Sequence, residues 1–258
     1  MCDHVDNFAR SSSNHDEDRE GPVVDSEIHA QIAAKLTKSA SPEAPTELLP
    51  DLVSQVREFV AKERTVGLPT TLATTVAIYF GTWDIWRLAA LSEAEAMIAV
   101  QDSIITLFVE LEKLLDAIGT KGPPPTVIIP KVVDPTWLPR WFADRSGPAG
   151  PDTFGMIQRQ ATDLTDHWHF ALTSRADRWT KGHIVVPDFN QWLLRQMRGQ
   201  HSFKGPGHGS QKQEQFQELR VPCMNRTAVG LHEHPFAPTT ADHSETTSCD
   251  NPERYLFW

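Results

Sequence analysis

The 258 residues carry 24 Lys+Arg against 34 Asp+Glu, a formal net charge of -10, with 40% hydrophobic residues and three cysteines. The acidic balance, with a pI near 5.5, excludes a nucleic-acid binder built on a basic face, and three cysteines are too few for a disulfide-dense scaffold. No apolar run reaches the roughly 18 residues of a spanning helix, because Asp84, Arg87, Glu93 and Asp102 interrupt the best stretches.

Taken in chain order, residues 1–21 are polar and acidic, with SSSNHDEDRE at 11–20, and are read as a solvated loop. Met1 is followed by Cys2, Asp3 and His4, so no basic-then-apolar secretory signal is expected in the chain as it stands. Leu48, Leu52, Val56, Phe59 and Val60 recur at helical spacing and predict a helix near 46–64. LATTVAIYF, 72–80, lies between Pro69 and Gly81 and predicts a buried strand. Met97, Ile104, Phe108, Leu111, Leu115 and Ile118 share one face, which predicts a helix over 93–118 closed by Gly119. TVIIPKVV, 126–133, is the next strand, with pairing expected to weaken at Pro130, which lacks an amide hydrogen. Ile157, Ala161, Leu164, Trp168, Leu172 and Trp179 trace a helix over 155–180, and HIVVPD, 183–188, is a third strand before a helix at 189–198. Residues 199–258, rich in Gly, Pro, Ser, Thr, His and Gln, are expected to be irregular.

Alternating apolar strands and helices imply an α/β domain over 22–198, its parallel sheet covered on both faces. Right-handed crossovers then put the ligand crevice at the carboxyl ends of the strands. Each strand runs into an aspartate there: Asp84, Asp134 and Asp188. Asp134, before Pro135, and Asp188, before a helix, fit turn- and helix-capping roles. Asp84 stands instead among Tyr79, Phe80, Trp83 and Trp86.

These residues resemble the SGNH or GDSL-type hydrolases, and more closely a fungal, esterase-like branch of them. AIYFGTWDIW, 77–86, is similar to the third block of that family, Gly-x-Asn-Asp after a strand, with Gly81 and Asp84 in register. Asn7-Phe8-Ala9-Arg10-Ser11-Ser12 resembles the second block, and Tyr255-Leu256-Phe257-Trp258 the lead-in to the last. The resemblance implies a three-layer α/β/α fold with a flavodoxin-like sheet, and hydrolysis of ester or acyl-ester groups on a carbohydrate or lipid. It also implies an oxyanion environment drawn from Ser12, Gly81, Trp83 and Asp84. Trp83 stands where the family has an oxyanion Asn, and an indole offers a single N–H donor. Ser12 replaces the second-block Gly.

The family's nucleophile block, Gly-Asp-Ser, occurs nowhere in the 258 residues, nor does a Gly-x-Ser-x-Gly elbow. The closing Asp-x-x-His is expected beyond Trp258. Serine hydroxyls need an imidazole base oriented by a carboxylate, so the expectation is a fragment of such a hydrolase, with the first strand missing and no catalytic residues of its own. The alternative is a non-catalytic carbohydrate-binding module of the same fold, stacking sugars on tryptophans such as Trp86 and Trp137, with Trp83, Trp141 and Trp192.

No cofactor is called for, and no strong metal signature occurs. His167-Trp168-His169 falls in a helix, where positions two apart diverge, and His232-Glu233-His234 is read as an exposed loop. Cys223 and Cys249 are candidates for one disulfide, and Asn225-Arg226-Thr227 is a glycosylation sequon. Neither decides the compartment.

Overall fold

A computed structural model describes residues 21–36, 50–66, 73–119, 123–138, 141, 151–202, 225–227 and 245–247. The chain divides into two compact units: the residues up to Pro135 together with Ile157–Asp188, and Thr136–Met156 together with Phe189 onward.

The first unit holds α1 (Ser26–Leu36), α2 (Leu52–Val66), β1 (Thr75–Ala77), α3 (Thr82–Leu88), α4 (Glu93–Ile118), β2 (Thr126–Ile128) and β3 (His183–Val185), with α5 (Pro151–Ala176) belonging to it from Ile157. The three strands form one parallel sheet in the order β1-β2-β3, with Val76, Val127 and Ile184 in register. This is the α/β arrangement that the alternation of elements implies. Pro130 acts as its chemistry requires. Thr126 donates its N–H to Thr74, on the β1 side, while Ile129 and Lys131 donate to Val185 and Pro187, on the β3 side. Pro130 therefore falls on the β1 side with no proton to give, and the β1–β2 ladder stops while β2 stays tied to β3.

Burial of the sheet is one-sided among the described residues. Val76, Val127 and Ile184 are at least half covered, whereas Thr75, Ala77, His183 and Val185 are exposed. Strands in sequential order with right-handed crossovers put α4 and α5 on the same face, which accounts for the alternation. Among the described residues the expected buried strand at 72–80 is thus a terminal strand with a partner on one side only, and of its residues Ile78 is buried and Tyr79 exposed.

α4 spans the residues that its apolar spacing predicts, and packs against α2, α3 and α1. Val100, Ile104, Leu107 and Leu111 are fully buried on its inner face, and each such side chain contributes about 1.5–3 kcal/mol of transfer free energy. The helix stops at Gly119, whose φ of 81° is cheap only without a Cβ. α2 begins later than its apolar spacing suggests. Asp51 caps it, accepting the Ser54 N–H at 2.7 Å, and the same carboxylate takes the N–H and hydroxyl of Ser26 at 2.9 and 2.6 Å, which ties α1 to α2. α5 starts at Pro151, a residue suited to a first helical turn, and α-type and tighter hydrogen bonds carry its end to Trp179.

In the second unit Trp141 is completely buried, and α6 (Phe189–Ser202) buries Leu193 while leaving Phe189 and Trp192 exposed. The helix runs past the expected end at 198. An antiparallel pair, β4 (Asn225–Thr227) and β5 (Glu245–Thr247), lies within the stretch expected to be irregular, and the sequon Asn225 pairs with Thr247.

Candidate functional site at the strand carboxyl ends

Four residues past β1 the chain turns at Gly81, whose φ of 119° lies in the left-handed region that favours glycine. A Cβ there would stand 2.5 Å from the Trp168 ring and 2.7 Å from Val132. Both the torsion and the space therefore demand glycine, and α3 starts at the next residue. Asp84, in the first turn of α3, is fully buried. Its two oxygens accept the Val24 N–H at 3.2 Å each, and one is 3.1 Å from Nε2 of His29, itself 7% exposed. The carboxylate is acceptor-only, so the imidazole donates to it. Asp84 is a buried clamp that holds the segment before α1, and α1 itself, onto the β1–α3 turn.

Trp83 lies against Gly21, with the indole nitrogen as the nearest ring atom to where a Cβ would be, and its ring centroid is 5.2 Å from that of Trp86. At the position where the resembled family has an oxyanion donor, this chain thus has a ring packed on backbone. Trp86 is 3% exposed, so its faces are taken up by packing and offer no open platform to a sugar. Trp137 is half-buried and Trp192 exposed.

A second group of polar side chains gathers at the ends of β2 and β3. Lys131 Nζ donates to Asp188 at 2.9 Å, both groups being partly exposed. His169, from α5, makes a 3.0 Å hydrogen bond from Nε2 to the Val132 carbonyl. A carbonyl only accepts, so Nε2 carries the proton and Nδ1 the lone pair. Burial holds the His169 pKa below the ordinary imidazole value, Lys131 pushes it the same way, and the Val132 carbonyl, Asp188 and Asp166 oppose them. This imidazole, its tautomer fixed, stands beside the Lys131–Asp188 pair at the sheet end where Gly81 meets Trp168.

Asp188 immediately precedes α6, as a capping residue would, and also serves Lys131. Asp134 is buried before a 3-10 turn over Pro135–Trp137 and accepts the Thr162 hydroxyl at 3.3 Å. Sequence reasoning missed His29, Lys131 and His169 as site members. Asp166-His167-Trp168-His169 has the Asp-x-x-His spacing expected only after Trp258, and that spacing was the available signal for His169. No serine hydroxyl is hydrogen-bonded to a histidine among the described residues. Ser12, Cys223, Cys249, His232, His234 and the partial blocks at 7–12 and 255–258 lie outside the described residues. Among the described residues no group of His, Cys, Asp and Glu could hold a metal ion, and no helix is long and apolar enough to cross a membrane.

No model of a known protein family matches the chain, and no curated protein matches it.

Proposed function

We propose that the chain is part of an SGNH/GDSL-type hydrolase, a three-layer flavodoxin-like α/β/α protein whose complete form hydrolyses ester or acyl-ester bonds on a carbohydrate or lipid. The observation that carries this reading is the β1–Gly81–α3 turn. Four residues after β1 the chain turns through a left-handed glycine into α3, and the aspartate three residues on is buried as the turn's anchor, in the register of the family's third block. β1 is a terminal strand of the sheet among the described residues, which is compatible with the further parallel strand that this reading requires.

By the same reading these 258 residues do not hydrolyse esters. His169 is a base without a nucleophile: the sequence has no Gly-Asp-Ser, and an imidazole cannot form an acyl intermediate through a hydroxyl it does not touch. The Trp83 ring against Gly21 leaves the oxyanion side without its amide donor.

Incubating the chain with p-nitrophenyl acetate and a fluorophosphonate probe tests the second statement. No covalent label and no turnover above the heated protein are expected; turnover that the probe abolishes would overturn it. The first statement is tested by reading the native transcript across both ends of this frame. It stands if Gly-Asp-Ser lies upstream and Asp-x-x-His downstream, and fails if the continuous reading frame contains neither.

A further inference from the structure

α1 and α4 leave a groove between them, within the first unit, of about 130 Å³. Its floor is apolar, from Ile28, Ile32 and Leu91, and Ile98 stands at its lip, 63% exposed. Gln31, Ala99, Glu95 and Asp102 complete the lining, and no lining residue is basic. That volume is well below the ~300–1,000 Å³ of small-molecule pockets, and suits one inserted side chain.

Beyond the groove the apolar surface continues along the same helix. Ile105 and Val109 are 40% and 44% exposed, and with Ile98 and Asp102 they follow the spacing i, i+4, i+7, i+11, a single stripe about 16 Å long on an α-helix. Large β-branched residues left in water along one stripe have the geometry that a second helix covers with anchors one turn apart. Charge selects the kind of helix. At the far end of α4, Lys181 already meets Glu112 and Asp116 at 3.6 and 4.0 Å. At the groove end Asp102 has no ion-pair partner among the described residues, and Glu95 receives only the Ser92 hydroxyl.

We propose that the α1–α4 groove and the Ile98–Val109 stripe form a docking surface for a basic amphipathic helix. One apolar side chain of the partner enters the groove, its apolar face covers Ile105 and Val109, and Lys or Arg residues flank the anchor to meet Glu95 and Asp102. A twofold pairing of this face with a second copy would set these carboxylates against each other in a chain of net charge -10. The chain's neighbouring segments, 11–20 and 37–49, are themselves net acidic.

The test titrates the full chain into a labelled synthetic helical peptide, Leu on one face and Lys on the other, with fluorescence anisotropy as the readout. Its counterpart carries Glu in place of Lys. Saturable one-to-one binding of the Lys peptide alone is expected, weakened about tenfold by Ile98→Ser and about tenfold by Asp102→Lys. Asp163→Lys, the same charge change at an exposed site on α5, is expected to leave it unaltered. Absence of saturable binding overturns the proposal, as does equal weakening by Asp163→Lys, which would mean attraction to net charge only. Self-association of the free chain that Ile98→Ser abolishes would also overturn it, making the occupant a second copy. Ile98 and Asp102 are surface positions, and circular dichroism confirms that both variants fold.

Discussion

Gly81 and Ser103 show how differently one added or removed group acts at two buried positions. At Gly81 an alanine would have to hold φ near 119° and push its Cβ into the Trp168 ring and Val132. Neither neighbour can yield easily, because Trp168 and Val132 are both buried. Gly81→Ala is expected to lower stability by about 3 kcal/mol, strain and overpacking together, seen as a fall in the urea midpoint with unchanged slope. Ser103 is the opposite case. Its hydroxyl is fully buried on α4 without a hydrogen-bond partner among the described residues, so the folded state bears a desolvation cost with no return. Ser103→Ala removes that cost without opening a cavity, and a gain of about 1 kcal/mol in the same denaturation experiment is the expected result.

Among the elements, α1 depends on what holds its amino-terminal turn. Asp84 grips it through His29 and the Val24 amide, and Asp51 grips its first residue while capping α2. Burial pushes the Asp51 carboxyl up, but hydrogen bonds from the hydroxyls and amides of Ser26 and Ser54 outweigh it and hold the pKa below the usual carboxylate value. A depressed carboxylate pKa means that the unfolded chain takes up the proton first as pH falls. The contribution of Asp51 is therefore complete above the unfolded value, about 3.9, and is lost as pH drops through the folded one. Asp51→Ala is expected to cost about 1–2 kcal/mol at pH 7, with the deficit shrinking in strongly acid solution; a deficit independent of pH would mean packing loss instead of capping.

These same elements mark what the sequence disclosed. The 26 residues of α4 present seven turns of one apolar face, and a period of 3.6 is readable over that length. α3 has seven residues, two of them tryptophans, and is too short to show any period. α1 has no counterpart among the elements expected from periodicity, because its hold on the fold comes from His29 and Ser26, polar side chains bonded to distant carboxylates, and periodicity counts only apolar ones. The site was half legible for the same reason. Gly81 and Asp84 sit in one local motif, whereas His29–Asp84 and Lys131–Asp188 join residues 55 and 57 apart. Nothing in the local spacing announces such pairs.

On the scale of the whole molecule, two liabilities meet in one pH window. Burial and Lys131 hold His169 neutral in the folded chain, so the unfolded state binds its proton more readily. Stability then falls as pH drops through the unfolded imidazole value, about 6.5, and levels off below the folded one. His169→Gln, which can still donate to the Val132 carbonyl, is expected to flatten this slope in thermal melts between pH 8 and pH 5, values that bracket about 6.5. In the same range the chain approaches its pI near 5.5 and loses the repulsion that keeps copies apart. β1 is then the point of attack. Among the described residues it is a terminal strand of the sheet, its Thr75 and Ala77 are exposed, and residues 72–80 contain no charge and no proline to guard the edge. Light scattering is accordingly expected to rise as pH falls toward about 5.5, and Ala77→Lys separates the two causes. If neutralisation alone drives aggregation, an added lysine brings net charge nearer zero and scattering worsens. If the open edge is the template, a charge beside it blocks strand addition and scattering falls despite the smaller net charge. The exposed, uncharged edge makes the second outcome the expected one, with the melting temperature at pH 8 left unchanged because Ala77 contributes little to the core.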